Sequence, residues 1–169
     1  MKPNRGYEAL RRNRLSMPEA TYFVTLCTHN RSPGLTSASV ASALRAEILD
    51  IERAGYWTIR GAVIMPDHLH LLLTLRVRLP LGRTIARLKS KSKPALFVAG
   101  LQWQGNYYEH RLRAEDSVET VLLYIFLNPF RTGLVSLSEI YAWFWLGAEE
   151  MAWFTPRTDD GKPFPEWLC

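Results

Sequence analysis

Residues 68–75 read His-Leu-His-Leu-Leu-Leu-Thr-Leu, and this run constrains the fold more than any other stretch. In a β-strand, successive side chains point to opposite faces of the sheet. Leu69, Leu71, Leu73 and Leu75 then share one face, which must pack on helices. His68, His70, Leu72 and Thr74 share the other, with two imidazoles side by side at the strand's beginning. Just upstream, Met65-Pro66-Asp67-His68 suits a tight turn, because Pro presets the first central dihedral and Asp suits the second. The run is therefore the second arm of a hairpin whose first arm covers residues 57–65.

The other elements follow from pattern. Residues 20–28 are β-branched and aromatic and predict a strand. Val40, Leu44, Ile48 and Ile51 recur at helical spacing within 37–54, and Gly55 supplies the stop. A second helix is expected over 82–98, with Pro94 as a candidate break, and a fourth strand over 103–113. A third helix starts near 116, where Asp116 and Glu119 have the spacing of a capping box, and Pro129 marks its end. The order β-α-β-β-α-β with a further helix is the ferredoxin-like α+β plan, an antiparallel sheet with helices on one face. The extra C-terminal helix is free to cover the other face. The chain divides into a basic N-terminal arm (1–18), one domain (19–135) and a C-terminal extension (136–169) whose structure the pattern does not reveal.

Composition removes several classes of function. With Cys27 and Cys169 as its only cysteines, the chain builds neither a disulfide scaffold nor a four-cysteine zinc site. Its apolar runs fall far short of the roughly 20 residues that span a bilayer. Residues 1–15 are polar and basic, unlike a secretory signal, so a soluble cytoplasmic protein is expected. There is no glycine-rich phosphate loop, and hence no nucleotide cofactor is expected. The net charge of +5 suits a polyanionic partner.

Two features carry chemistry. Two imidazoles spaced like His68 and His70 can share one divalent metal, although a pair of idle surface histidines has the same pattern. The helix near 117–131 is apolar on most sides. At about 100° per residue, Ser117, Thr120, Tyr124, Asn128 and Arg131 fall in one sector about 80° wide. Tyr124 and Asn128 are neighbours on that strip. A tyrosine hydroxyl is a possible nucleophile, and an amide oxygen is a hard ligand suited to Mg²⁺ or Mn²⁺. A core-edge tyrosine and a helix-capping asparagine are the structural alternatives.

The string Val-Ile-Met-Pro-Asp-His-Leu-His-Leu-Leu-Leu at 63–73 resembles the histidine–hydrophobe–histidine motif of single-tyrosine transposases. Tyr-Ile-Phe-Leu-Asn-Pro-Phe-Arg-Thr-Gly-Leu-Val at 124–135 is similar to the catalytic helix of the REP-associated tyrosine transposases. The strand at 20–31 and the segment from Trp103-Gln104 to Arg113 fit the same family, so the resemblance covers roughly residues 18–135. Residues 136–169 depart from the Trp-Pro-Ser-type tail often found there.

The resemblance implies a bacterial, nucleoid-associated enzyme that nicks and rejoins single-stranded or hairpin DNA at repeat elements. Tyr124 is the implied nucleophile, forming a 5′-phosphotyrosine. His68, His70 and Asn128 are the implied ligands of Mg²⁺ or Mn²⁺. It also implies phosphate contacts from Arg11, Arg12 and Arg14 in the arm, from Arg83, Arg87, Lys89, Lys91 and Lys93 around the second helix, and from Arg111, Arg113 and Arg131. A solvated helix face is the plainer account of the cluster at 83–93. Tyr107, Tyr108 and Trp103 are candidates for stacking on unpaired bases. A monomer is expected, with Tyr124 serving its own histidines. The competing reading is a nucleic-acid-binding domain of the same fold without catalysis.

Overall fold

The computed structural model describes residues 16–159 and 162–163. The expected arm residues Arg11, Arg12 and Arg14 lie outside the described residues. The elements run β1 (Thr21–Cys27), a 3-10 turn (His29–Arg31), α1 (Ala38–Arg53), β2 (Trp57–Ile64), β3 (His68–Leu75) and α2 (Leu81–Val98). They continue with β4 (Tyr108–Arg111), α3 (Val118–Arg131), β5 (Phe144–Leu146) and α4 (Ala148–Met151). The strands form one sheet in the order β4-β1-β3-β2-β5, and all neighbours are antiparallel. The first four strands keep the ferredoxin-like plan.

The two faces of the sheet divide as the alternation requires. Leu69, Leu71, Leu73 and Leu75 are buried with Val24 and Leu26 of β1 against Val40, Leu44 and Ile48 of α1 and Ile85 and Leu88 of α2. On the opposite face Leu72, Val63 and Met65 are buried beneath Leu122, Ile125, Phe126 and Phe130 of α3. The third helix is therefore the lid of the histidine-bearing face.

Gly61 sets how closely that lid sits. A Cβ at this position would lie 2.5 Å from Leu122 Cδ2, inside any real carbon–carbon contact. The bare backbone of β2 is what lets α3 settle on the sheet.

Several expected boundaries shift. The fourth strand shrinks from 103–113 to Tyr108–Arg111, with an isolated bridge between Thr28 and Trp103. The second helix runs through Pro94 without a break. Pro94 and Ser90 are both exposed, so the carbonyl left without an N–H donor is on a face open to solvent. The cap of α3 is Ser117, whose hydroxyl accepts from Thr120 N, and not Asp116. Asp116 instead accepts from Arg113 N (2.8 Å) and pairs with His110 Nε2 (2.9 Å). Pro129 lies inside the helix, which ends only at Arg131.

The C-terminal extension is part of the sheet. β5 pairs with the outer edge of β2 (Ala62 opposite Trp145), and Tyr141 donates a 2.7 Å hydrogen bond to Ile64 O. Arg60 Nε and the buried Glu150 Oε1, 2.5 Å apart, tie α4 to the same strand.

Gly61→Ala should destabilise the fold by about 1–3 kcal/mol through overpacking. Combined with Leu122→Ala, the loss should be smaller than the sum of the two single losses, as measured by denaturant unfolding. Strict additivity would contradict the close approach.

Candidate active site

The pairing of β1 with β3 builds the site. Cys27 lies opposite His68, Thr25 opposite His70 and Phe23 opposite Leu72, and all six are on the α3 face. Thr25 is also opposite Tyr108 of β4. The histidine rings are neighbours, with centroids 4.6 Å apart. Tyr124 on α3 brings its ring to 5.3 Å from His70 and 5.8 Å from Phe23, edge-on in both cases. Phe23 in turn stacks on His70 at 5.3 Å. A nucleophile candidate and two metal-ligand candidates from distant parts of the chain thus meet around one phenylalanine.

Each imidazole is held by its Nδ1. His68 Nδ1 donates to Asp67 Oδ1 at 2.6 Å. An ionised carboxylate only accepts, so Nδ1 carries the proton and the lone pair is on Nε2. His70 Nδ1 lies 2.8 Å from Thr25 Oγ1. In the tautomer in which Nδ1–H donates to that hydroxyl, the Nε2 lone pair is free. His70 Nε2 is buried and has no hydrogen-bond partner among the described residues. Imidazoles held through Nδ1 with the Nε2 lone pair free are the form a metal requires.

Burial is the main force on the charge of His70. It pushes the ring from 6.5 down to about 3; Arg31 and, when it is protonated, His68 add to this, and Asp67 opposes it. The ring is therefore neutral, as a ligand must be. Asn128, one turn beyond Tyr124, is 9% exposed, whereas Tyr124 is 43% exposed. The strip is thus buried at its asparagine and open at its tyrosine. No group of three His, Cys, Asp or Glu side chains converges on one point among the described residues. The two neighbouring imidazoles are donors of the kind a divalent cation takes, and Asn128 lies one turn beyond Tyr124 on the same helix.

The expected DNA contacts do not all gather here. Arg83, Arg87, Lys91 and Lys93 are exposed on α2, which packs on the leucine face, opposite the histidines. Arg87 lies over the Tyr56 ring at 5.1 Å. Lys89 Nζ donates to the carbonyls of Gln104 (2.7 Å), Gly105 (3.3 Å) and Asn106 (3.1 Å), so it clamps the loop before β4. Arg111 contacts Met17 Sδ, and Arg113 pairs loosely with Glu115 at 3.8 Å. Arg131 is exposed at the end of α3. Tyr108 is exposed on the site face beside Phe23, whereas Tyr107 and Trp103 pack against the leucine-side core.

Arg31 is absent from the residues that the sequence pattern singles out. Its Nη1 lies 3.3 Å from Asp67 Oδ2, the carboxylate that also holds His68. Only its position directly after β1 hinted at this placement.

The architecture is a small antiparallel sheet whose histidine-bearing face is covered by one helix carrying Tyr124. The family model described as "Transposase IS200 like" matches residues 16–126, and the chain belongs to that family of DNA-processing enzymes. It is 29% identical over 119 residues to a REP-associated tyrosine transposase of Escherichia coli (strain K12), covering 68% of this chain and 69% of that one. Its fold is similar to that of a REP-associated tyrosine transposase bound to a REP hairpin, with a TM-score of 0.66 and 24% identity, covering 78% of this chain and 79% of that one. The resemblance to REP-associated tyrosine transposases carried by the two motifs holds. No helix among the described residues is long and apolar enough to cross a membrane.

The low proton affinity of His70 has a consequence for stability. The unfolded ring binds a proton near 6.5 and the folded ring only near 3, so the contribution is full above pH 6.5. It is lost as the pH falls from 6.5 towards 3, by at most about 1.4 kcal/mol per pH unit for one proton. In an NMR titration of the metal-free chain, the His70 ring signals should stay constant from pH 8 to 5. A midpoint near 6.5 would show that the ring is solvated.

Proposed function

We propose that the chain nicks and rejoins single-stranded DNA at hairpin-bearing repeats, with Tyr124 as the nucleophile and residues 19–135 as the catalytic domain. The observation that carries this reading is the placement of the Tyr124 ring 5.3 Å from His70, within one chain. That contact also favours a monomer whose tyrosine serves its own histidines.

The reaction is a transesterification. Tyr124 Oη attacks phosphorus, the phosphorus–O3′ bond breaks, and the phenol proton passes through solvent to the departing 3′ oxygen. The 5′ phosphate remains on the tyrosine. A 3′ hydroxyl later attacks that phosphotyrosine and restores the strand, so no nucleotide cofactor is consumed. Mg²⁺ or Mn²⁺ would be held by His68 and His70, with the Asn128 amide as a third donor, and would supply positive charge to the phosphate oxygens. Asp67 and Thr25 keep the two imidazoles oriented. Phe23 stacks on His70 and meets the Tyr124 ring edge-on, so the three rings brace one another.

A hairpin substrate is proposed because a relative of the same fold is bound to one. Phosphate contacts are assigned to Arg111, Arg113 and Arg131, and to the exposed cations of α2 only where the strand passes round to the leucine side.

The test is incubation with single-stranded hairpin DNA and Mn²⁺, followed by a denaturing gel. Wild type should give a shifted covalent protein–DNA band. Tyr124→Phe should give none, while binding the hairpin within a few-fold of wild type and losing about 1 kcal/mol of stability or less. A covalent band from Tyr124→Phe would move the nucleophile to another residue, Tyr108 first. Binding without any covalent band from wild type would favour the binding-domain reading.

A further inference from the structure

The turn after β1 is anchored to the turn that carries His68. Thr28 N and Thr28 Oγ1 both donate to Asp67 O (2.9 and 3.0 Å). Gly34 N and Leu35 N donate to Pro66 O (2.8 and 2.9 Å). Between these anchors Asn30 and Arg31 take left-handed backbone angles in succession, with φ of 53° and 54°. Asparagine tolerates that region, but arginine seldom occupies it. Arg31 N to Thr28 O and Ser32 N to His29 O, each 3.2 Å, hold the turn in this form. Backbone kept in a rare conformation by its surroundings is often kept there for what its side chain does.

The strained turn delivers a guanidinium to the histidines. Arg31 Nη1 touches Asp67 Oδ2 at 3.3 Å, and the other oxygen of that carboxylate holds His68. The Arg31 side chain is 58% exposed. An arginine present only to neutralise Asp67 would gain most from a close, two-pronged, buried pairing. This one makes a single long contact with Asp67 and presents most of its five N–H donors to solvent at the mouth of the site.

We infer that Arg31 binds a phosphate of the DNA strand on the His68 side of the site, either the reacting phosphate or its immediate neighbour. This rests on the reading of Tyr124 as a nucleophile towards a phosphodiester. Asp67 holds the guanidinium in place before the strand arrives, and the free N–H donors take the phosphate oxygens. The strained turn fixes the distance between this cation and the imidazoles, so it sets which phosphate of the strand stands before Tyr124.

The full-length chain carrying Tyr124→Phe, which keeps the strand intact, is titrated with a fluorescein-labelled DNA hairpin bearing single-stranded flanks. One flank phosphate at a time is replaced by a neutral methylphosphonate. At one position the replacement should weaken binding by about 10-fold with Arg31 present and by almost nothing with Arg31→Ala. Arg31→Ala should itself weaken binding of the unmodified hairpin by a similar factor. It should also reduce the slope of log affinity against log salt by about 0.7, and Arg31→Lys should restore that slope. Mn²⁺ affinity, measured without DNA, should not fall in Arg31→Ala. If Arg31 only steadied Asp67, Mn²⁺ binding would weaken and every methylphosphonate effect would add to that of Arg31→Ala; either result overturns the inference. Coupling at one phosphate in a chain whose wild type forms no covalent species would keep the phosphate contact and reject the nicking chemistry. Failure to bind any such hairpin would reject both.

Discussion

The register between β1 and β3 is the constraint on which the site depends. Thr25 stands opposite His70 and Cys27 opposite His68, so both histidines emerge on the α3 face, His70 with the Thr25 hydroxyl in hydrogen-bond reach. A slip of one residue would carry both imidazoles into the layer formed by Leu44, Ile48, Ile85 and Leu88, and would turn four leucines outward. The cost of either error is several buried apolar side chains and two unpaired polar rings. The aliphatic core therefore specifies the position of the chemistry without touching it. The hairpin turn adds Asp67 beside His68, and the stapled turn after β1 closes the same end of the sheet.

The opposite wall of the site is held differently. α3 is apolar around most of its circumference, and Gly61 lets it descend onto the sheet until Leu122 meets bare backbone. That depth sets the contacts of Tyr124 with Phe23 and His70. Edge-on aromatic contacts of this kind are each modest, about 0.5–1.5 kcal/mol beyond the area they bury, but they are directional. They hold the tyrosine ring while leaving it 43% exposed, open to an incoming strand. His70 bears the electrostatic burden: its burial costs it its proton, and leaves a neutral nitrogen with no hydrogen-bond partner among the described residues.

Much of this was legible in the residues. Leucine alternating with histidine on β3 identified both faces, and the polar strip on α3 placed Tyr124 and Asn128 together. What was not legible depends on long-range geometry. Phe144–Leu146 is three residues long and becomes a strand only by pairing with β2. The spacing of Arg83, Arg87, Lys91 and Lys93 shows an exposed helix face, but not that the helix lies across the sheet from the histidines. Lys89 looks like its neighbours in sequence, yet three backbone carbonyls surround it. Asp116 has the spacing of a helix cap, but His110 and the Arg113 amide draw it away, and Ser117 takes the role. Arg31 carries no pattern at all, because a pair of left-handed residues is a property of the folded turn.

The most direct test of the central claim is peptide mass mapping of the protein–DNA adduct trapped after reaction with hairpin DNA and Mn²⁺. The account predicts one modified peptide, spanning α3, with a nucleotide 5′ phosphate esterified to the Tyr124 oxygen. An adduct on another residue, or one linked through the 3′ end of the DNA, would contradict it.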